Sequence, residues 1–442
     1  MTMEYLIRLI QIHETFRKPE LEALAEIANI KMEFVFYSAH SPYCIVRLGS
    51  ERAARKLISR SILGDAIYEL WGQGADYPSL HANIRSKTQS WWPKYEHSSF
   101  KFKVRGYQGS VDLKSQRTLI ESFSFMDFKG PIRMNGADNE FCILEDYERY
   151  AEKPYQLYFG RLISEGGRNA MVKYDLKKRK YISTTSMDSE LALITANITK
   201  AAPGKLFYDP FVGTGSFPIA CSHYGATTLG SDIDGRSVRG TPDRNIVTNF
   251  KQYNLTNWWL DSFVSDLTNT PLRLTRCLDG IICDPPYGVR EGLKVLGRKH
   301  GDGLEAVMID GVPAHLRPGF IAPKKAYSFD LMLDDILDFA VATLVDGGRL
   351  SMWMPTANDE DIEHAIPQHQ ALKLVACCIQ NFNKWSRRLL TYVRLSDEEA
   401  GELKPRMRKE VVGRKADELN NFRRKYFEGF QEVGNGAERP SA

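Results

Sequence analysis

The run Asp284-Pro285-Pro286-Tyr287 follows directly on an apolar stretch, 280–283, that reads as the end of a strand. A carboxylate followed by a proline carbonyl sets two hydrogen-bond acceptors side by side, and a planar exocyclic amine has two N–H donors to meet them. Such an amine is a poor nucleophile because its lone pair is delocalised into the ring. It can be alkylated if it is held with the lone pair toward an electrophilic carbon and its developing charge is stabilised. Asp284 and the Pro285 carbonyl suit that task, Pro286 stiffens the loop, and Tyr287 offers a face on which an extruded base can stack. A plain loop after a strand has the same composition, so the partners of the motif along the chain decide between the two.

Those partners lie upstream. The run DPFVGTGS from Asp209 falls between an expected strand and an expected helix, and Gly213 and Gly215 let the backbone turn tightly and approach a ligand. Pro218 stands where a dinucleotide fingerprint has its third glycine, which disfavours NAD. The helix amino terminus can instead receive the carboxylate of a methionine moiety, with Asp209 facing its ammonium or sulfonium end. Asp232 ends the next strand, where a carboxylate can hold both hydroxyls of an adenosine ribose while Ile233 packs on the adenine. Asp266 is placed to accept from the adenine amine, with Leu267 on the other side of the ring. Each aspartate alone is equally a cap for a helix or loop. Three acidic strand ends in order after a glycine turn favour S-adenosylmethionine as cofactor, with the methyl group moved by direct displacement and no metal at the site.

The elements that must position these residues follow from hydropathy patterning. From about residue 180 helices alternate with apolar strands, the pattern of an α/β fold whose parallel sheet is covered on both faces. Leu191, Ile194 and Ile198 on one face predict a helix over 188–199, stopped before Pro203-Gly204. Strands are expected over 205–208, 227–231 and 278–283, with a helix running from the glycine turn to Tyr224 and a longer one over 330–345. A Gly347-Gly348 turn then leads to a strand over 349–354, and 372–382 and 387–395 form an antiparallel hairpin.

Residues 1–165 read as a mixed α+β module. Strands are expected over 5–12, 33–37, 43–48, 100–104 and 155–163, and helices from Pro19 and over 51–63 and 113–125, with no catalytic constellation. Aromatic and basic residues mingle over 90–109, which suits a nucleic-acid surface and, equally, a half-buried strand with solvated lysines. The expected partition is 1–165, a linker over 166–187, a catalytic domain over 188–395, and a charged extension over 396–442. That extension is expected to be a solvated appendage, partly disordered, with a surface helix over 410–430. Trp258 and Trp259 suit a partner contact or, more simply, the core.

With 442 residues and 43% hydrophobic content the chain needs more than one core. The net charge of +4 is compatible with a polyanionic partner but selects none. Seven cysteines without a C-x-x-C pair indicate neither a disulfide framework nor a zinc knuckle, and point to a reducing, cytoplasmic setting. No stretch reaches the roughly 18 apolar residues of a membrane span, so a soluble protein is expected.

Taken together, TTSMDSELA from Thr184, DPFVGTGS from Asp209, GSDID from Gly230, DPPYGVREG from Asp284, PKKAYS from Pro323, GGRLSMWMP from Gly347 and WSRRLLTYVR from Trp385 resemble the eukaryotic tRNA guanosine-N2-methyltransferases that act on the tenth nucleotide of tRNA. The likeness spans most of the chain, though the tail carries none of its motifs. It implies a ferredoxin-like segment and a THUMP domain that holds the acceptor end of tRNA, followed by a Rossmann-like class I methyltransferase domain with a mostly parallel seven-stranded sheet. It also implies a small zinc-binding activator subunit, so that this chain is the catalytic half of a heterodimer. Asp284, Pro285, Pro286 and Tyr287 carry over for the target base, and Asp209, Gly213, Gly215, Asp232 and Asp266 for the cofactor. Thr185, Ser186 and Arg290 carry over for the substrate, with the basic residues 298–300 near a phosphate. Two rivals stand beside this reading. The four-residue core also serves methylation of DNA adenine or protein glutamine, against which the long amino-terminal module argues. A tRNA-binding subunit without chemistry is the other, against which the filled catalytic positions argue.

Overall fold

A computed structural model describes residues 3–289, 292–297, 307–317, 320–357, 366–404 and 415–429. The chain divides into two compact units, Met1–Lys173 and Tyr174–Ala442. The first holds β1 (Met3–Leu9), α1 (Glu14–Ala28), β2 (Glu33–Phe36), β3 (Tyr43–Leu48), α2 (Glu51–Ile58), β4 (Gly64–Gly74), α3 (Tyr77–Thr88), β5 (Phe100–Tyr107), α4 (Leu113–Glu121), β6 (Asn139–Asp146) and β7 (Gln156–Glu165). Its seven strands form one sheet in the order β2-β3-β1-β4-β7-β6-β5, with only β5 and β6 parallel among neighbours. The sequence pattern does not announce β4, α3 or β6, because β4 and β6 carry acidic residues where an apolar run is expected. Those carboxylates are buried and satisfied: Glu69 accepts from Trp71 Nε1 at 2.9 Å and Arg161 Nε at 3.0 Å, and Glu145 from the Tyr77 hydroxyl at 2.6 Å. Over 90–109 a 3-10 turn, Gln89–Lys94, precedes the half-buried strand β5. Trp91, Trp92, Phe100 and Phe102 pack against the core around Trp71, and Lys101 and Lys103 each pair with Glu140 at 2.8 Å.

In the second unit, α5 (Ser189–Ile198) begins at Asp188, whose side chain caps it by accepting from Leu191 N at 2.9 Å. Then come β8 (Leu206–Asp209), α6 (Ser216–His223), β9 (Thr227–Asp232), α7 (Ile246–Tyr253), β10 (Trp259–Val264), β11 (Leu278–Cys283), α8 (Phe329–Thr343), β12 (Leu344–Ala357), β13 (Leu372–Asn381), β14 (Trp385–Arg394) and α9 (Asn421–Glu428). The sheet order is β10-β9-β8-β11-β12-β14-β13, parallel from β10 through β12, with β14 antiparallel to both of its neighbours. The chain leaves β8 toward one edge and returns at β11 to build toward the other. A crevice therefore opens between the carboxyl ends of β8 and β11, the place where open α/β sheets bind ligands. Close strand contact there depends on Gly280, since a Cβ would sit 2.3 Å from the Phe207 ring. The core of this half joins Ile281, Leu350 and Leu390 of the sheet to Leu333, Ile336 and Leu337 of α8.

Four local expectations are corrected here. Gly347 and Gly348 do not form a turn before a strand: β12 runs through them, with a register shift against β11 and Gly347 at φ 75°. Residues 174–187 are not a free connection, since Tyr174, Arg179 and Met187 are buried within the second unit and Arg179 donates to Ser216 Oγ at 2.8 Å. Trp258 is 36% exposed at the head of edge strand β10, and only Trp259 packs inward, stacked on Phe250 at 4.6 Å. The charged extension contributes α9, which docks on the catalytic half through buried Leu419, Asn420 and Phe422. Residues 415–419, expected as part of the 410–430 helix, form turns, while 410–414, 430 and the final residues lie outside the described set.

Candidate active site

Asp209 ends β8, Asp232 ends β9, Asp266 follows β10 by two residues and Asp284 follows β11 directly, so the sheet delivers four carboxylates to one rim. A cleft of about 530 Å³ opens there. Its lining includes Asp209, Gly213, Asp232, Ile233, Asp266, Leu267, Asp284, Pro285, Pro286 and Tyr287, together with Thr185 and Ser186 at the edge. Ser186 Oγ reaches Thr214 Oγ1 at 2.7 Å, which ties the TTS segment to the glycine turn. Gly215 is not brought into the cleft. It sits at φ 84° as the residue before α6, where a Cβ would come within 3.2 Å of Ile246, so it serves the turn and the packing of α7. Arg290 and residues 298–300 lie outside the described residues.

The carboxylates are held by backbone and by burial. Asp209 is 3% exposed and accepts from Phe211 N at 2.9 Å; burial pushes its pKa well above the ordinary carboxylate value, and the nearby Asp232 and Asp284 push it further. Asp232 accepts from Gly213 N at 3.0 Å and Asp234 N at 2.8 Å, yet burial still raises its pKa, opposed by those bonds and by Lys324. Asp266 accepts from Thr268 N at 3.0 Å and from Leu296 N at 2.6 Å, so both of its oxygens already brace the rim. The amino terminus of α6 has no side-chain cap. It leaves a donor-rich end facing a pocket of like charges, an arrangement that suits a zwitterion with a cationic middle.

Asp284 sits between two partners. The Tyr287 hydroxyl donates to its Oδ1, while Arg387 Nη1 lies 4.0 Å from its Oδ2. Burial raises the Asp284 pKa, and these two neighbours pull it back down. Tyr287 therefore has its ring in the cleft and its hydroxyl on the carboxylate, a link the sequence reading did not include. Arg387, whose side chain is 17% exposed, lies over the Trp353 ring at 4.7 Å and belongs to β14, next to β12. Sequence reasoning passed it over because one arginine inside a strand motif carries no local sign of its target.

The same holds for α9. Asn420 Nδ2 donates to the Tyr287 carbonyl at 2.9 Å, and Arg423 Nη1 donates to the carbonyls of Gly288 and Val289. Phe422 lies under Trp385 at 5.6 Å between ring centroids, and Trp385 meets Tyr287 edge-on at 6.3 Å. The signal that was available is the Phe422 and Tyr426 pair, four apart behind an Asn cap, inside an otherwise charged tail.

Comparison with known proteins gives the following. Residues 3–168 match a family model described as Tmrp11 THUMP N-terminal domain, and residues 177–299 match one described as RMKL-like, methyltransferase domain. A Saccharomyces cerevisiae protein named tRNA (guanine(10)-N(2))-methyltransferase is 43% identical over 439 residues, covering 97% of this chain and 99% of that one. The Homo sapiens protein named tRNA (guanine(10)-N(2))-methyltransferase TRMT11 is 33% identical over 455 residues, covering 96% and 95%. Among solved structures, that of TrmN from Thermus thermophilus matches at 15% identity with a TM-score of 0.43, over 89% of this chain and 100% of that one.

Proposed function

This chain belongs to the tRNA (guanine(10)-N(2))-methyltransferase family, and on that footing we infer that it transfers a methyl group from S-adenosylmethionine to the exocyclic N2 of guanosine 10 in tRNA. The observation that carries the reading is the adjacency of β8 and β11, which sets the glycine turn and Asp209 beside Asp284 in one cleft.

The residues present fit the cofactor. Buried carboxylates that repel one another favour a cation among them, and the uncapped end of α6 offers N–H groups to a carboxylate. Ile233 and Leu267 give the cleft an apolar flank for an aromatic ring. S-adenosylmethionine, when bound, supplies a methyl group made electrophilic by its positively charged sulfur. Asp209 and Asp232 would hold its ammonium and ribose groups, and Asp266, through its remaining lone pairs, would accept from its adenine amine. Asp284 and the Pro285 carbonyl accept the two N–H groups of the target amine and so aim its lone pair. As N2 gains a carbon it must lose a proton, and Asp284, whose pKa burial already raises, is the acceptor at hand. Tyr287 steadies the carboxylate and presents its ring to the base, while Thr185, Ser186 and Arg290 serve the substrate side.

The first unit is the THUMP-type module that holds the tRNA, and the second unit, from Tyr174 onward, is the catalytic domain, with α9 of the extension packed on it. A small zinc-binding activator completes the enzyme. Its docking is supported by edge strand β10, which pairs with no described strand on its outer side and carries exposed Leu260 and Val264, with exposed Trp258 just before it. No helix among the described residues is long and apolar enough to cross a membrane, and the cytoplasm is the proposed compartment. Purified chain, alone and with the activator, should pass radiolabelled methyl to unmodified tRNA at guanosine 10 and not to DNA. Asp284→Ala should lose about a hundredfold or more in rate while still binding cofactor. Undiminished transfer by that variant would overturn the assignment.

A further inference from the structure

We propose that Asn420 and Arg423 of the carboxyl-terminal extension are positioning residues for methyl transfer, setting the loop that carries Asp284, Pro285 and Tyr287. The inference rests on the function proposed above. Beyond β11 the chain leaves the sheet, so the carbonyls of Tyr287, Gly288 and Val289 have no ladder partners. All three are met by two side chains, one from the cap of α9 and one from its first turn, more than 130 residues away in sequence: Asn420 Nδ2 takes the first, and Arg423 the second and third.

The contact is built rather than incidental. Asn420 is 3% exposed and works twice, since its Oδ1 caps α9 by accepting from Arg423 N at 2.9 Å while its Nδ2 holds Tyr287. Arg423 is oriented from behind by Asp417, at 2.7 Å to its Nε. Leu419 offers its carbonyl to Phe329 N at 3.1 Å, which fastens the approach to α9 onto the start of α8. Phe422 is wedged beneath Trp385, the ring that backs Tyr287. On the loop side Gly288 sits at φ 72°, and a Cβ there would meet Asn420 Nδ2 at 2.7 Å, so backbone and asparagine are matched to each other.

The chemical consequence is angular. The Asp284 carboxylate and the Pro285 carbonyl must aim at two N–H groups together, and small displacements of such groups cost up to about a hundredfold in rate. A loop held at three successive carbonyls cannot rotate those acceptors without breaking contacts with α9. Neither Asn420 nor Arg423 lines the cleft, so each acts through the loop.

Asn420→Asp separates the two jobs of that residue, because the aspartate keeps the helix cap and loses the donor to Tyr287. On the full chain with its activator, Asn420→Asp and Arg423→Ala are expected to lower kcat between about tenfold and about a hundredfold. The dissociation constant for S-adenosylmethionine, the KM for tRNA and the melting temperature should stay near wild type. Arg423→Lys, which keeps one donor, should recover part of the loss. Amide exchange over 284–289 should quicken in Asn420→Asp whether or not tRNA is present. Wild-type kcat in both variants, unchanged exchange over 284–289, or losses that track melting temperature alone would each overturn the proposal. A wild-type enzyme inert toward tRNA would instead sink the functional reading, and the exchange measurement would still decide whether α9 holds the loop.

Discussion

In the proposed mechanism Asp284 combines two requirements that pull against each other, because an acceptor for amine protons must be ionised while a dry site for methyl transfer favours its neutral form. Arg387 at 4.0 Å and the Tyr287 hydroxyl tip the balance toward the carboxylate. Arg387→Ala removes one of them, so the acid limb of the pH–rate profile should move to higher pH, and a limb that stays put would exclude this role for the arginine. Tyr287 divides along similar lines. Tyr287→Phe keeps the ring and loses only the hydroxyl, and its rate should fall less than about tenfold, whereas Tyr287→Ala removes the stacking face as well and should fall by a further tenfold or more. Equal losses in the two variants would place the whole contribution in the hydroxyl. Asp232 and Asp266 spend their visible hydrogen bonds on the backbone of the rim, and what each gives to a ligand comes from the lone pairs that remain.

At the scale of elements, close packing behind the cleft fixes where the rim residues stand. Gly230 in β9 faces Val212 of the glycine turn so closely that a Cβ would lie 2.5 Å from Val212 Cγ2. Gly230→Ala should push that turn outward and weaken cofactor binding about tenfold, read by calorimetric titration, with a smaller effect on fold stability; unaltered affinity would show that the turn yields freely. Gly280→Val crowds the Phe207 ring deeper in the sheet and should cost about 1–3 kcal/mol of stability. Its denaturation midpoint measures that directly. The strands and helices that bear the motifs were legible in the sequence, since each is a short apolar run punctuated by Asp, Gly or Pro. The acidic strands β4 and β6 were not, because their carboxylates find partners only when tyrosine, tryptophan and arginine side chains from elsewhere fold over them.

Across the whole molecule, the raised carboxylates couple cofactor, pH and stability. Asp209, Asp232 and Asp284 bind protons more tightly folded than unfolded. Between the ordinary carboxylate value of about 3.9 and their raised values, increasing pH therefore removes stability. A cation bound among them reverses the penalty. The rise in melting temperature produced by S-adenosylmethionine should accordingly grow as pH rises above the ordinary carboxylate range, and should exceed that produced by the uncharged-sulfur product S-adenosylhomocysteine; an increment flat with pH would contradict the electrostatic account. The sequence by itself determined the α/β order of the catalytic half, the glycine turn after β8 and the Asp284 motif after β11, because each is written in residues adjacent along the chain, where spacing and turn chemistry act locally. Only the tertiary structure decided that Gly215 serves packing and not the cleft, that Arg387 stands beside Asp284, and that a charged tail supplies the clasp on the catalytic loop. Those relations join residues far apart in the chain, and their energies come from burial and matched hydrogen bonds that exist only once the sheet has brought the distant segments together.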